Sequence, residues 1–143
     1  MSPATALRTR ELTLDDAHTL AALSLRLGLS ETPEQWSAFL RRTSVVSVGA
    51  LADDRIVGYA AGDVRGGFGM AGPVAWLEAF GVELERRGGG VGRTLLSEVL
   101  ERFARRGAAH VYTLVPVHDQ VLAPFFRQVG FRDEALVCLG RSL

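Results

Sequence analysis

Apolar residues recur along this chain with two different periods, and the change of period marks the elements. The run Val-Ala-Trp-Leu-Glu-Ala-Phe-Gly-Val at 74–82 is apolar apart from Glu78, which predicts a largely buried strand. Beyond Arg87 the spacing turns helical: Gly92, Leu95, Leu96, Val99, Leu100 and Phe103 share one face, with Glu98, Glu101, Arg102 and Arg105 opposite. Earlier in the chain, residues 6–12 predict a strand. Asp15 caps a mostly buried helix that stops at Gly28. Thr32 and Pro33 open a second helix through Trp36, Phe39 and Leu40. Residues 45–51 and 56–64 predict two strands turned at Asp53-Asp54. The glycine-rich run 66–73 predicts a mobile connection, because no helical pattern follows it. Later come a strand at 110–115 stopped by Pro116, a helix over 119–129, and a closing strand around 135–139.

Between the apolar strand and the central helix lies Arg87-Gly88-Gly89-Gly90-Val91-Gly92. A glycine turn opening a helix leaves several backbone N–H groups unpaired and aimed at one spot, and the helix dipole adds positive potential there. Glycine also lets a ligand reach the main chain. The physics points to phosphate or pyrophosphate. Spacing excludes two of the usual loops. A Walker A motif would need glycine where Arg87 stands and a lysine that is missing, and neither glycine pair completes Gly-x-Gly-x-x-Gly. A tight turn with no ligand is the plainer alternative, set against the backbone entropy that three successive glycines cost.

What fits is Arg87-x-x-Gly90-x-Gly92, which resembles the pyrophosphate signature of the GNAT superfamily of N-acetyltransferases. A second likeness lies at Phe125-Phe126-Arg127-Gln128-Val129-Gly130-Phe131, similar to the family's closing helix running into Gly-Phe. The resemblance implies one α/β (α+β) domain over residues 1–143, with a mixed, mostly antiparallel sheet of six to seven strands flanked by about four helices. It implies acetyl-CoA as cosubstrate, held by Val82, Arg87, Gly88, Gly89, Gly90, Val91, Gly92, Arg93 and Phe126. It also implies transfer of the acetyl group to a primary amine by direct attack in a ternary complex, with the Val82 amide taking the thioester carbonyl. A homodimer is compatible with it.

Glu78 is the ionisable group in the strand before the loop, and desolvation there would raise its pKa toward the range of a general base. Strand alternation places it with Trp76, Phe80 and Val82 unless a bulge intervenes. A rim carboxylate paired with arginine is the structural alternative. Glu83 and Glu85 read as solvated residues shaping the turn. Many relatives carry a tyrosine in the last helix as proton donor, and the corresponding residue here is Phe126. Water, Tyr59, Tyr112 or His118 would have to substitute. The missing hydroxyl also keeps open a non-catalytic CoA-binding module.

Sixteen basic and sixteen acidic residues balance, and no basic stretch carries interleaved aromatics, which argues against nucleic acid as a partner. No apolar run reaches the ~18 residues of a membrane span. No metal-ligand spacing is present. Cys138, alone of its kind, reads as a packed thiol within the last strand, and a single cysteine with no secretory pattern points to the cytoplasm.

Overall fold

The computed structural model describes residues 6–67, 69, 70 and 72–143. The expected mobile connection at 66–73 includes Phe68 and Ala71, which lie outside the described residues. The elements run β1 (Arg8–Arg10), α1 (Ala17–Arg26), α2 (Pro33–Leu40), β2 (Val45–Ala52), β3 (Arg55–Arg65), β4 (Val74–Val82), α3 (Val91–Arg105), β5 (His110–Thr113) and α4 (Leu122–Gln128). They follow chain order in one sheet, β1-β2-β3-β4-β5, antiparallel until the parallel β4–β5 pair.

Local chemistry explains most of the boundaries. The Thr32 hydroxyl accepts from the Gln35 N–H at 3.1 Å, and the Gln35 side chain takes the Thr32 N–H at 2.8 Å, so α2 starts where Pro33 fits. Asp53 and Asp54 both adopt positive φ (52° and 59°), as the tight β2–β3 hairpin requires. α1 starts two residues beyond its expected cap, after a 3₁₀ turn at Leu14–Asp16. There Asp16 accepts from Arg10 at 2.8 and 2.9 Å and from the Thr13 N–H at 2.7 Å. These bonds hold its carboxyl below the usual range, with Arg10 the largest cause.

Each face of the sheet carries a core. Val91, Leu95, Leu96, Val99 and Phe103 of α3 bury against Val48, Ala60, Ala75 and Leu77. α1 and α2 bury Leu20, Leu23 and Trp36 against Leu51, Ile56 and Tyr59 on the other face. The second core contains one polar knot: the Ser24 hydroxyl, fully buried, pairs with the Tyr59 hydroxyl at 3.1 Å and accepts from Trp36 Nε1 at 3.3 Å. Burial pushes the Tyr59 hydroxyl pKa up, so it stays neutral.

The C-terminal expectation is corrected. Among the described residues the sheet has five strands, not six to seven, and residues 135–139 form none of them. β5 is short, and among the described residues no strand, 135–139 included, pairs its outer edge. Leu136, Val137 and Leu139 are exposed, and so is Cys138, which was expected to be packed.

Candidate active site

The site begins where β4 and β5 part. They pair from Val74↔His110 to Leu77↔Thr113, and the Thr113 hydroxyl donates to the Leu77 carbonyl at 2.9 Å. Beyond that point β4 runs on to Val82 without β5 beside it. In an antiparallel strand successive N–H groups point to opposite edges. The Glu83 N–H donates to Val57 of β3 at 2.8 Å, so the Val82 N–H points to the other edge, into the opening. The Val82 carbonyl shares that edge and accepts from Arg87 Nε at 3.3 Å.

The glycine turn closes one end of this opening. Gly88 and Gly90 have φ of 83° and 87°, the left-handed region that glycine enters without a Cβ penalty. A Cβ on Gly90 would meet nothing within 4 Å, so the turn presents bare main chain. The first N–H at the start of α3 with a backbone acceptor is that of Thr94, to the Gly90 carbonyl at 3.0 Å. The amides of Val91, Gly92 and Arg93 precede it at the positive end of a fifteen-residue helix. The loop residues 87–93 lie at the start of α3, with Val91 anchored in the core and Arg93 exposed.

Phe126 departs from expectation. Its ring is 4% exposed, enclosed by Phe80, Phe125 and Phe131 at centroid distances of 5.4, 5.5 and 5.1 Å. The ring beside the glycine turn is Phe125, stacked on Phe80 at 5.4 Å. A Cβ on Gly92 would stand 3.2 Å from Phe125 and 3.5 Å from Phe80, so that glycine admits both rings to the foot of α3. Sequence reasoning passed over Phe125, although a glycine inside a helical pattern signals a close packing partner. Phe126→Tyr is expected to cost about 1–3 kcal/mol through a buried unpaired hydroxyl, with no gain in rate. Thermal melts beside turnover measurements check this, and faster turnover at unchanged stability would return the ring to the reaction centre.

Glu78 sits at a β-bulge. Ala61 pairs with Ala79 and Gly62 with Leu77, so Glu78 is the extra residue on β4. Ala75 and Leu77 face α3 before the bulge, and Phe80 and Val82 face it afterwards. The bulge thus intervenes, turning Glu78 away from Phe80 and Val82 and toward the α1–α2 face. The expected apolar setting is also corrected, because the side chain is 28% exposed and takes Arg65 at 2.6 Å and Arg42 at 3.5 Å. Arg42 also reaches Asp63 at 3.2 Å.

Glu83 is corrected in the opposite sense. It is buried, not solvated, and both Arg26 of α1 and Arg55 of the hairpin close on its carboxylate. This clamp fixes the chain as it leaves β4 for the glycine turn, whereas Glu85 is exposed as expected. Tyr59 is committed to Ser24 beneath α1, and Tyr112 lies against Trp76 at 5.2 Å. His118 is exposed beyond β5. Its neighbour Asp119, in the turn before α4, accepts from the Leu122 and Val121 N–H groups, both at 2.8 Å, and those bonds lower its pKa. Among the described residues no cluster of His, Cys, Asp or Glu is arranged to hold a metal ion.

A parted strand pair, an open main-chain edge and a left-handed glycine turn at a helix start lie together at one end of the sheet. The sequence profile of the Acetyltransferase (GNAT) family matches residues 13–131, which takes in every one of these parts. The chain belongs to that family. It is 34% identical to the N-alpha-acetyltransferase RimI of Mycobacterium tuberculosis (strain ATCC 25618 / H37Rv) over 129 residues, 87% of this chain and 78% of the relative. Its fold is similar to aminoglycoside N-acetyltransferase AAC(6')-Iy in complex with CoA, with a TM-score of 0.85 at 19% identity, covering 99% and 98% of the two chains. It is also similar to ribosomal-protein-alanine N-acetyltransferase from Brucella melitensis biovar Abortus 2308, with a TM-score of 0.81 at 17% identity over 96% and 100%.

Proposed function

We propose that this GNAT chain transfers the acetyl group of acetyl-CoA to a primary amine, by direct attack within a ternary complex. The observation that carries the reading is the Val82 N–H, aimed into the opening between the glycine turn and Glu78. The amides at the start of α3 hold the pyrophosphate, with Arg87 and Arg93 beside them. The thioester lies along the free edge of β4, its carbonyl oxygen accepting from the Val82 N–H. Oxyanion charge grows on that oxygen as the amine nitrogen attacks, and a donor already in place stabilises it without reorganisation.

The amine arrives from the α1–α2 face, where Glu78, Trp76 and Tyr112 stand. The Glu78 carboxylate takes the ammonium proton, directly or through one water, while the C–S bond breaks and the CoA thiolate leaves. Solvent protonates the thiolate, since Phe126 has no proton to give; exposed His118 is the side-chain alternative. A thiol pKa near ~8.5 makes the thiolate a tolerable leaving group without an acid.

The α-amine of a polypeptide is the acceptor that the 34% identity to RimI supports. Its pKa of about 8 leaves a useful neutral fraction near pH 7, whereas lysine at ~10.4 would not. The site operates in the cytoplasm on this reading. The absent tyrosine hydroxyl favours a second one, a CoA-binding module without turnover.

Glu78→Gln separates the two. Release of free CoA with a panel of peptides should fall by about 10²-fold, the lower end for general base catalysis, while the CoA-induced thermal shift is retained. Equal rates for both proteins between about pH 6 and 9 would confine Glu78 to holding Arg42 and Arg65, and no release with any amine would leave the binding module.

A further inference from the structure

The Val82 N–H sits at the end of its ladder. Gly58↔Val82 is the last β3–β4 pair, and the bond from the Glu83 N–H to the Val57 carbonyl, at 2.8 Å, closes it. Ends of paired segments open most readily, because few contacts hold them. An oxyanion donor has the opposite requirement, since it stabilises charge without reorganisation only if it is already in place. The residues around Val82 reconcile the two. Gly81 lies flush beneath α1, where a Cβ would stand 2.7 Å from Leu27 Cδ1 and 2.8 Å from the Tyr59 hydroxyl. The Val82 side chain is buried in the α3 core. Glu83 then turns its carboxylate, 8% exposed, back to Arg26 in the last turn of α1 and to Arg55 at the start of β3.

The chemistry of this clamp favours geometry over stability. A carboxylate taken out of water between two arginines regains in attraction little more than it loses in hydration, and an apolar residue of similar volume often serves a fold equally well. What the ion pairs add is one fixed arrangement. Both guanidiniums converge on the same oxygen, Glu83 Oε1, one from the helix and one from the hairpin. The charge itself works against the reaction. A carboxylate one residue from a developing oxyanion repels it, so neutralising Glu83 would by itself speed acetyl transfer.

We propose that Glu83 is a positioning residue for acetyl transfer: gripped by Arg26 and Arg55, it holds the end of β4 so that the Val82 N–H stays aimed at the thioester oxygen. The inference rests on the acetyl-transfer reading above and goes beyond it by assigning the group that keeps the oxyanion donor in place. Glu83 acts through Val82 and not on the reactants. Because Arg26 belongs to α1, the same contact ties the donor to the face from which the amine arrives.

Glu83→Gln keeps the shape and removes the charge. Both arginines are more than half exposed and border an open groove with His18 and Arg86, so water takes up the groups that the substitution frees. Titration calorimetry with acetyl-CoA and with CoA reads the donor without turnover. The parent should prefer acetyl-CoA by about 2–12-fold, the range that one neutral hydrogen bond provides. Glu83→Gln should lose that preference and keep its affinity for CoA. With a peptide acceptor its kcat should fall by about 10-fold to 10²-fold, the upper figure being the cost of a misplacement of about 1 Å. KM for acetyl-CoA should change by no more than the lost preference. Arg26→Gln supplies a second variant; acting through the same contact, it should add nothing to Glu83→Gln when the two are combined. A faster Glu83→Gln protein overturns the proposal, because the charge and not the position would then matter. A lower melting temperature with kcat and preference intact overturns it too, as do additive losses in the double variant. A parent with no preference for acetyl-CoA and no release of CoA overturns the acetyl-transfer reading, and the proposal with it.

Discussion

Gly90→Asp abolishes the thermal shift produced by CoA and leaves the unliganded protein close to its original stability. Two opposing terms make the apo effect small. Position 90 has φ of 87°, a strained value for a residue with a side chain, though aspartate tolerates it better than most. Against this, a carboxylate at a helix start is favoured by the dipole and can accept from the following amides. That compensation is what removes the ligand: the new carboxylate occupies the amides that the pyrophosphate needs and repels its charge. In the parent, CoA at about 100 times its dissociation constant adds ~2.7 kcal/mol. Differential scanning fluorimetry with and without CoA reads both numbers, and a full shift in the variant would move the cofactor away from α3.

Gly62→Ala has the largest expected effect on stability. Gly62 lies opposite the bulge, and a Cβ there would stand 2.1 Å from the Trp76 carbonyl oxygen and 2.7 Å from Phe103 Cζ. The first obstacle is backbone in a paired strand, so relief requires β3 and β4 to separate where Glu78 is set. The loss should reach about 3 kcal/mol or more, the upper end for overpacking. At roughly 2–4 °C per kcal/mol for a domain of this size, the melting temperature falls by about 6–12 °C. Gly140, where a Cβ meets nothing within 4 Å, provides the comparison. Equal melting temperatures for both alanine variants would show that the bulge gives way freely.

What the chain discloses in advance depends on how local the cause is. The glycine turn, the amphipathic α3, the Thr32 cap with Pro33 and the Asp53-Asp54 hairpin each depend on residues a few positions apart, and each forms where the pattern predicts it. The orientation of Glu78 does not, because the bulge that reverses it is set by what β3 offers across the ladder at Gly62. Glu83 reads as a solvated turn residue until Arg26 and Arg55, 57 and 28 positions away, close on it. The family's closing pattern singles out Phe126, and only the contact with Gly92 shows that Phe125 is the ring beside the turn. The segment 135–139 has the composition of a strand, but a strand needs a partner, and composition is silent about whether one is present.

The left-handed glycines of the turn before α3 have a consequence for how a chain that binds through main-chain amides can diverge. Main-chain amides are chemically the same in every residue, so what the turn must preserve is the handedness of two peptide positions, not a set of functional groups. Almost every other position is then free to drift as long as the strand before the turn and the helix after it keep their places. Folds similar to this one at TM-scores of 0.81 and 0.85 share only 17% and 19% of its residues. The acceptor side is under no such economy, since it must distinguish amines by their side chains, and it is there that members of the family are free to part company.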